Sequence, residues 1–451
     1  MKNVIKINSL FFISLILLFS CDPKIDNPVG TGKLGSLSTD GSPIVYVAVG
    51  NSLTAGYMDG AVYPDGQKYS YPNLLAQQLK ITDFVQPEYQ DPGTGTRMYF
   101  YGFNELGLPM IQKSPVNIAS VLNLSYSKPY NNLGIPGSVA YDLIDSSDFA
   151  LRSQQRSNPF YLSVLRSQTF GKSVLEQAIN LKPTLMTLWI GNNDVLGYAT
   201  SGGTISTTGM PDNPMPTPTA VIQQIIGGSL QKIFANLPNT KVLLFTIPDV
   251  LGVPFFHVIP WNGLVLKDQS QVDQLNAAYK QLGITFKLGA NGFIAKSKTA
   301  PGGIKQLTAA DYITFTIPQD SILKAGWGTL KPIPDEYVLD ANEANIVTIT
   351  IAEYNAVIKG FADSMPGVKI VDMNEVFKNL LSYGYSVPGS TTLNSSYISG
   401  EMFSLDGIHP TPRGYGAITN EIIKVINANF NADIPFVNLQ NLPAIKVYVN
   451  N

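Results

Sequence analysis

The feature that most constrains the fold is a regular alternation of strand-like segments with segments of helical periodicity. The first strand-like segment, 44–49, contains five β-branched or aromatic residues among its six, which is typical of a strand buried on both faces. Four further strands are expected at 130–135, 184–190, 241–249 and 368–372. Helical patterns lie between or after them, at 71–79, 173–181, 216–237, 343–363 and 412–429. The alternation predicts an α/β fold built on a doubly wound, mainly parallel five-stranded sheet.

Small polar residues follow three of these strands. The first strand ends in Gly50-Asn51-Ser52, the second in 134–138 and the third in 191–194. Because open α/β sheets bind ligands at the carboxyl ends of their strands, these residues are candidates for a site. The backbone N–H groups of a helix starting at Ser52 would stabilise an oxyanion that develops beside it. For Gly50-Asn51-Ser52 taken alone, a turn followed by a helix N-cap is an equally good interpretation.

A second candidate group lies near the C-terminus. The chain has two histidines, and one of them, His409, follows Asp406 by three residues in a loop rich in Gly and Pro. A serine hydroxyl becomes a good nucleophile when a neutral imidazole accepts its proton, and a carboxylate fixes the tautomer of that imidazole. The alternative for this segment alone is a structural histidine beside an Asp-Gly turn. We expect a structural role for the other histidine, His257.

Four short motifs, in this order along the chain, resemble the sequence blocks of the SGNH (GDSL-type) hydrolase family of serine esterases. They are Gly50-Asn51-Ser52-Leu53, Gly134-Ile135-Pro136-Gly137, Gly191-Asn192-Asn193-Asp194 and Asp406-Gly407-Ile408-His409-Pro410. Such a resemblance implies hydrolysis of carboxylic esters without a cofactor. It also fits a flavodoxin-like, three-layer α/β/α arrangement of the predicted sheet and helices.

The resemblance also implies a role for each site residue. Ser52 is the expected nucleophile, His409 the general base and acid, and Asp406 the partner that orients His409. The expected oxyanion hole consists of the backbone N–H groups of Ser52 and Gly137 and the side chain of Asn193. The first block of the family usually has Asp before the serine, whereas this chain has Asn51. The loss of a charge so close to the nucleophile is expected to affect the rate or the pH profile.

Composition excludes several other classes of function. Thirty basic and thirty-two acidic side chains give a formal charge of -2, so the chain lacks the electrostatic footprint of a nucleic-acid-binding protein. With two histidines and one cysteine, it has no His/Cys cluster that would bind a metal.

The N-terminus predicts export to the bacterial cell envelope. Lys2 and Lys6 precede a mostly apolar run, 10–19, which leads to Leu18-Phe19-Ser20-Cys21. This arrangement resembles a lipoprotein signal peptide, after which Cys21 becomes the lipidated first residue of a protein facing the periplasm or the cell surface. Cys21 is the only cysteine, so it cannot form an internal disulfide. An ordinary secretory signal or a short anchor helix is the alternative.

The predicted organisation has four parts. Residues 1–20 are the signal peptide, 21–42 a tether, 43–430 the hydrolase domain and 431–451 a C-terminal extension. An insertion at 250–340, between the fourth and fifth strands, is expected to fold over the top of the sheet. In that insertion, Trp261 and Trp327 are candidates for a surface that contacts a sugar or an acyl group, whereas Trp189 is expected in the core. Asp194 is expected to cap the helix after the third strand.

The functional prediction is a serine esterase acting on acylated carbohydrates, lipids or small esters. The alternative is a lipid-anchored binding or accessory protein that keeps the fold but is weak or inactive in catalysis.

Overall fold

The computed structural model describes residues 30–38, 41–103, 109–204, 216–387 and 392–449. The signal peptide and Cys21 lie outside these ranges. Helices cover both sides of a central sheet. The described ranges contain thirteen α-helices in all. They are α1 Ser52–Ala55, α2 Pro64–Lys68, α3 Tyr71–Gln78, α4 Phe149–Gln155, α5 Phe160–Leu165, α6 Val174–Asn180, α7 Asn193–Thr200, α8 Thr219–Asn236, α9 Gln269–Tyr279, α10 Gln319–Leu323, α11 Ala341–Ser364, α12 Met373–Tyr383 and α13 Pro412–Phe430. Within the described ranges, none of these helices is both long and apolar enough to cross a membrane.

The central sheet has five parallel strands. They are β1 Tyr46–Gly50, β2 Asn132–Gly134, β3 Leu185–Trp189, β4 Lys241–Phe245 and β5 Val368–Val371. Their spatial order is β2-β1-β3-β4-β5, the flavodoxin-like order, in which ligands bind near β1 and β3 where the winding direction reverses. The predicted fold class is therefore confirmed.

The strands form because their side chains are buried on both faces. All five residues of β1 and all five of β3 are buried, and all of them except Gly50 and Thr187 belong to the main apolar core. On one side, α3 packs against α13; on the other, α8 packs against α6 and α11. Parallel strands of this kind need helices on both faces to cover their apolar side chains.

Between β4 and α11, the chain forms short antiparallel hairpins and two helices. The paired strands are Leu264–Leu266 with Gly289–Asn291, Ile294–Lys296 with Ile304–Gln306, and Tyr312–Ile313 with Val338–Leu339. This region buries two small apolar clusters of its own, separate from the main core. Trp261 and Trp327 pack against the first of these clusters.

The long connection between α3 and β2 also contains antiparallel strands. Met98–Phe103 pairs with Pro109–Lys113, and Thr94–Gly95 pairs with Ala61–Val62. Thr94, Asn117 and Ile118 from this connection line the open space beside Ser52. The connection therefore shapes one wall of the candidate site.

The segment 30–37, which falls within the predicted tether, packs against the last turn of α13 and the residues that follow it. Lys33 pairs with Asp433, Ser36 Oγ donates to the carbonyl of Phe430 at 3.2 Å, and Leu37 is buried in the main core. The folded domain thus begins before residue 43. The C-terminal extension is also folded against α13, and its Val437 accepts a hydrogen bond from Asn420 of that helix.

Candidate active site

Ser52 lies at the carboxyl end of β1, as the first residue of α1. The preceding Gly50 is packed so closely that a Cβ there would lie 2.5 Å from the carbonyl oxygen of Trp189 and 2.2 Å from Thr54 Oγ1. Only glycine fits this approach between the ends of β1 and β3. The close packing places Ser52 at the edge of the sheet where the two strands end.

A chain of hydrogen bonds joins Ser52 to a carboxylate from the far end of the sequence. His409 Nε2 lies 2.8 Å from Ser52 Oγ, and His409 Nδ1 lies 2.9 Å from Asp406 Oδ2. Because Nδ1 faces a carboxylate, the neutral ring carries its proton there, and Nε2 is left to accept from the serine hydroxyl. The structure thus brings together the three residues that the sequence analysis singled out for nucleophilic chemistry.

Both oxygens of Asp406 are held in place. Oδ1 accepts the backbone N–H groups of Ile408 and His409, at 2.9 and 2.8 Å, while Oδ2 faces the imidazole. Burial raises the pKa of this carboxyl, but the imidazole and the backbone N–H groups outweigh burial, so the pKa lies below its ordinary value of 3.8. Asp406 is therefore ionised at neutral pH.

Asp59 holds the loop that carries Asp406. Its Oδ1 accepts the N–H of Leu405 at 2.9 Å, and its own N–H donates to Ser404 Oγ at 3.0 Å. The next residue, Gly60, donates its N–H to Asp406 Oδ2 at 3.1 Å. The sequence analysis missed Asp59 because its partners lie about 345 positions away along the chain, and no local pattern connects the two segments.

Tyr57 supports the imidazole from the side. Its ring centroid lies 4.6 Å from that of His409, with the rings tilted by 46°. The Tyr57 hydroxyl donates to the carbonyl of Gly60 at 2.6 Å, and the hydroxyl of Tyr415 donates to the carbonyl of Tyr57 at 2.6 Å. These hydrogen bonds hold the Tyr57 ring in place against the imidazole. The sequence did not predict them.

Gly137 and Asn193, the other two residues expected in the oxyanion hole, line the same space as Ser52. Asn193 Nδ2 donates to the carbonyl of Ser138 at 2.8 Å. Since a side-chain amide has two hydrogens, this bond orients the group and leaves the second hydrogen for a ligand.

The backbone at Gly137 is in the left-handed region, with φ at +78°. This conformation favours glycine because a side chain there is strained. Asn158 Nδ2 donates to the carbonyl of the preceding residue, Pro136, at 2.7 Å. The loop that carries the Gly137 N–H is thus held by the Asn158 side chain as well as by its own backbone conformation.

Asp194 ties this loop to α7 instead of capping that helix. Its Oδ2 accepts the N–H of Ala140 at 2.8 Å, and the side chain is fully buried. The predicted cap is wrong because Asp194 lies inside the first turn of α7, after Asn192 at the N-cap. Burial raises the pKa of Asp194 to about 6. Close by, Arg156 Nη1 and Nη2 donate to Oδ1 and Oδ2 of the buried Asp142, at 2.7 and 3.1 Å.

Two spaces meet at Ser52. The inner cavity, about 80 Å³, is narrower, less open and largely apolar, and its walls include Leu53, Val253, Val376, Phe377, Leu380 and Met402. The outer cleft, about 820 Å³, opens more widely to solvent, and its walls include Thr94, Asn117, Arg156, Asn158, Thr200 and Thr316. Ser52, Asn193 and His409 line both spaces, so the two spaces adjoin at the serine hydroxyl.

Asn51 makes the helix cap that the family's usual aspartate could also make. Its Oδ1 accepts the N–H of Leu53 at 3.1 Å. Asn51 also lines the inner cavity, and its Nδ2 is buried without a hydrogen-bond partner among the described residues. The same is true of Trp189 Nε1 and Asn192 Oδ1. No Asp, Glu, Lys or Arg among those residues lines the cavity. The amide at position 51 thus keeps a negative charge out of an apolar space.

The remaining candidates lie away from this site. His257 Nε2 contacts the carbonyl of Leu251 at 2.7 Å, and the ring lies edge-on against Tyr312, so its role is structural as expected. Trp189 is buried in the core. Trp261 and Trp327 line neither the inner cavity nor the outer cleft, so they form no ligand-binding surface there. Within the described ranges, no group of three His, Cys, Asp or Glu side chains could hold a metal ion.

Comparison with known proteins agrees with the motifs. The family model described as GDSL-like Lipase/Acylhydrolase matches residues 46–422. A solved structure found as similar is the Clostridium thermocellum family 3 carbohydrate esterase, at 14% identity and a TM-score of 0.30, with 86% of this chain and 100% of that chain covered. A search of curated proteins gave no match. Because the family model spans far more than half of the chain, the protein belongs to the GDSL-like lipase/acylhydrolase family, that is, the SGNH hydrolases, and is a carboxylic ester hydrolase.

Proposed function

We propose that the protein hydrolyses esters through an acyl-enzyme formed on Ser52. The observation that carries this proposal is the continuous hydrogen-bond chain from Ser52 Oγ through His409 to Asp406, with lengths of 2.8 and 2.9 Å. Nucleophile, base and orienting carboxylate stand in the geometry that activates a serine hydroxyl.

In the first step, Ser52 Oγ attacks the ester carbonyl while its proton passes to His409 Nε2. The negative charge of Asp406 stabilises the imidazolium that forms. Collapse of the tetrahedral intermediate breaks the bond to the alcohol oxygen, and His409 returns the proton to that oxygen. A water molecule then attacks the acyl-enzyme, again with His409 as the base, and the acid is released.

The oxyanion of each tetrahedral intermediate is proposed to accept from the N–H groups of Ser52 and Gly137 and from Asn193 Nδ2. Support comes from the hydrogen bond that holds Asn193 and from the left-handed backbone of Gly137. Such preorganised donors stabilise the transition state without the cost of reorienting at the moment of reaction.

The experiment compares hydrolysis of p-nitrophenyl butyrate by the full chain and by three substituted forms, one of which is a control. We expect Ser52→Ala and His409→Ala to lose nearly all turnover, and His257→Ala, the matched control at the other histidine, to keep it. A fluorophosphonate probe should label the wild type and not Ser52→Ala. Turnover that survives Ser52→Ala would refute the proposed nucleophile. Absence of both turnover and labelling in the wild type would favour the binding or accessory protein.

We also propose that the protein is anchored to the bacterial envelope through lipidated Cys21. Support comes from the basic start, the apolar run and the single cysteine in the first 21 residues. Expression with labelled fatty acid, followed by separation of membranes, tests this. The wild type should carry label and sediment with membranes, and Cys21→Ala should do neither. An unlabelled wild type would contradict the proposal.

A further inference from the structure

The lining of the inner cavity is largely apolar, whereas that of the outer cleft includes several polar side chains. The acyl and alcohol halves of an ester can differ in polarity in the same way. The inner cavity is lined by buried apolar side chains of α12, among them Phe377 and Leu380, and of the segment before His409, among them Met402 and Phe403. Its polar side chains belong to residues at or next to the ends of β1 and β3 and to His409. The other side chains that line it are apolar, which suits an alkyl chain.

The order of steps decides which half of the ester enters which space. This argument depends on the proposed acyl-enzyme mechanism. After the first step, the alcohol must leave and a water molecule must replace it next to His409, whereas the acyl group stays bonded to Ser52. A product can leave, and water can enter, through the open cleft. The narrower, less open inner cavity can hold the group that remains in place until hydrolysis.

We propose that the inner cavity binds the acyl chain of the substrate and that this chain is an alkyl group longer than acetyl. The alcohol half then lies in the outer cleft, between Asn117, Arg156 and Thr316. These polar side chains suit an alcohol with further hydroxyl groups. The substrate class is therefore an ester of a hydrophobic acid with a polar alcohol.

Chain length is the direct measure of this assignment. Each methylene group buried in an apolar cavity is worth about fourfold in affinity. We expect kcat/KM of the wild type to rise at least about tenfold from p-nitrophenyl acetate to the hexanoate, less than full burial of four methylenes would give. Val376 lies on the cavity wall, on α12. Val376→Phe should lower the ratio of hexanoate to acetate at least about tenfold by filling the cavity, and Val376→Ala should move the optimum toward longer chains.

The control is Leu381→Phe, on the same helix but outside the cavity and partly exposed, which should leave the ratio unchanged. The proposal is overturned if the wild type prefers acetate, or if Val376→Phe changes both substrates equally. Fluorophosphonate labelling separates this failure from failure of the mechanism. A labelled enzyme with a flat chain-length profile removes only the acyl assignment, and an unlabelled, inactive protein removes the mechanism and the assignment together.

Discussion

Asp59 gives the sharpest prediction about stability. Burial, with a smaller contribution from the charge of Asp406, raises the pKa of the Asp59 carboxyl to about 6, although the Tyr63 hydroxyl, the Leu405 N–H and Arg97 oppose the shift. We consider the substitution Asp59→Asn, which keeps the shape of the side chain. Its amide oxygen can still accept from Leu405. Its nitrogen faces the Tyr63 hydroxyl, which can turn and accept in place of donating.

The size of the effect follows from the pKa. The folded-state pKa of Asp59 is about 2 above its ordinary value of 3.8, and one pKa unit corresponds to about 1.4 kcal/mol. The ionised carboxyl therefore costs the folded state about 3 kcal/mol at neutral pH. For a raised pKa, the stability that the protonated group provides is fully present below about pH 4 and is lost as the pH rises through about 6. Asparagine cannot ionise and does not incur this loss.

The assay is urea denaturation of wild type and Asp59→Asn at about pH 4 and about pH 8. At each pH, the free energy of unfolding of wild type is subtracted from that of Asp59→Asn. This difference should be up to about 3 kcal/mol larger at about pH 8 than at about pH 4. Asp273→Asn, at an exposed position on α9, serves as the control and should show little pH-dependent difference. An equal relative stability at both pH values would show that Asp59 ionises at no cost, and the reasoning from burial would fail.

Three further predictions concern the proposed catalytic residues and the loop that carries Gly137. Asn193→Ala should lower kcat about a hundredfold with little change in KM, because the donor acts mainly in the transition state; a rise in KM alone would contradict this. Asp406→Asn should lower kcat by about four orders of magnitude in a folded protein, measured by steady-state kinetics, and a loss below tenfold would remove its orienting role. Gly137→Ala should cost about 1–2 kcal/mol in urea denaturation because its Cβ is strained at this φ and lies 3.3 Å from Asn158 Nδ2; an unchanged midpoint would refute this.

Much of the fold could be predicted because its determinants are local. The residues of β1 are mostly β-branched or aromatic, those of β3 are mostly apolar, and the helical segment at 412–429 nearly coincides with α13. Local patterns also placed Ser52 and Asn193 at strand ends, since parallel strands bring their carboxyl ends to one edge. The sequence could not show whether these residues lie close to one another in the folded protein.

What could not be predicted depends on contacts between distant segments. Nothing near Asp59 in the sequence indicates that it binds the loop before His409. The apolar face of α12 has the pattern of an ordinary core helix, so a cavity wall cannot be told apart from packing. In the sequence, Asp194 follows a strand end where a helix cap is common, but in the structure it lies inside the first turn of α7 and accepts the N–H of Ala140. Trp261 and Trp327 were assigned to a surface because the sequence could not show that the region after β4 has a core of its own.

The position of the segment 30–37 has a consequence for how substrates reach the protein. This segment lies beside Phe430, where α13 ends, whereas His409 immediately precedes the start of that helix. The nineteen residues of α13 span about 28 Å. The segment 30–37 and His409 thus lie at opposite ends of α13. In a protein anchored through Cys21, as proposed above, the chain would enter the folded domain at the end of α13 that is remote from His409, and esters from the surrounding medium could reach Ser52 without passing the point of entry.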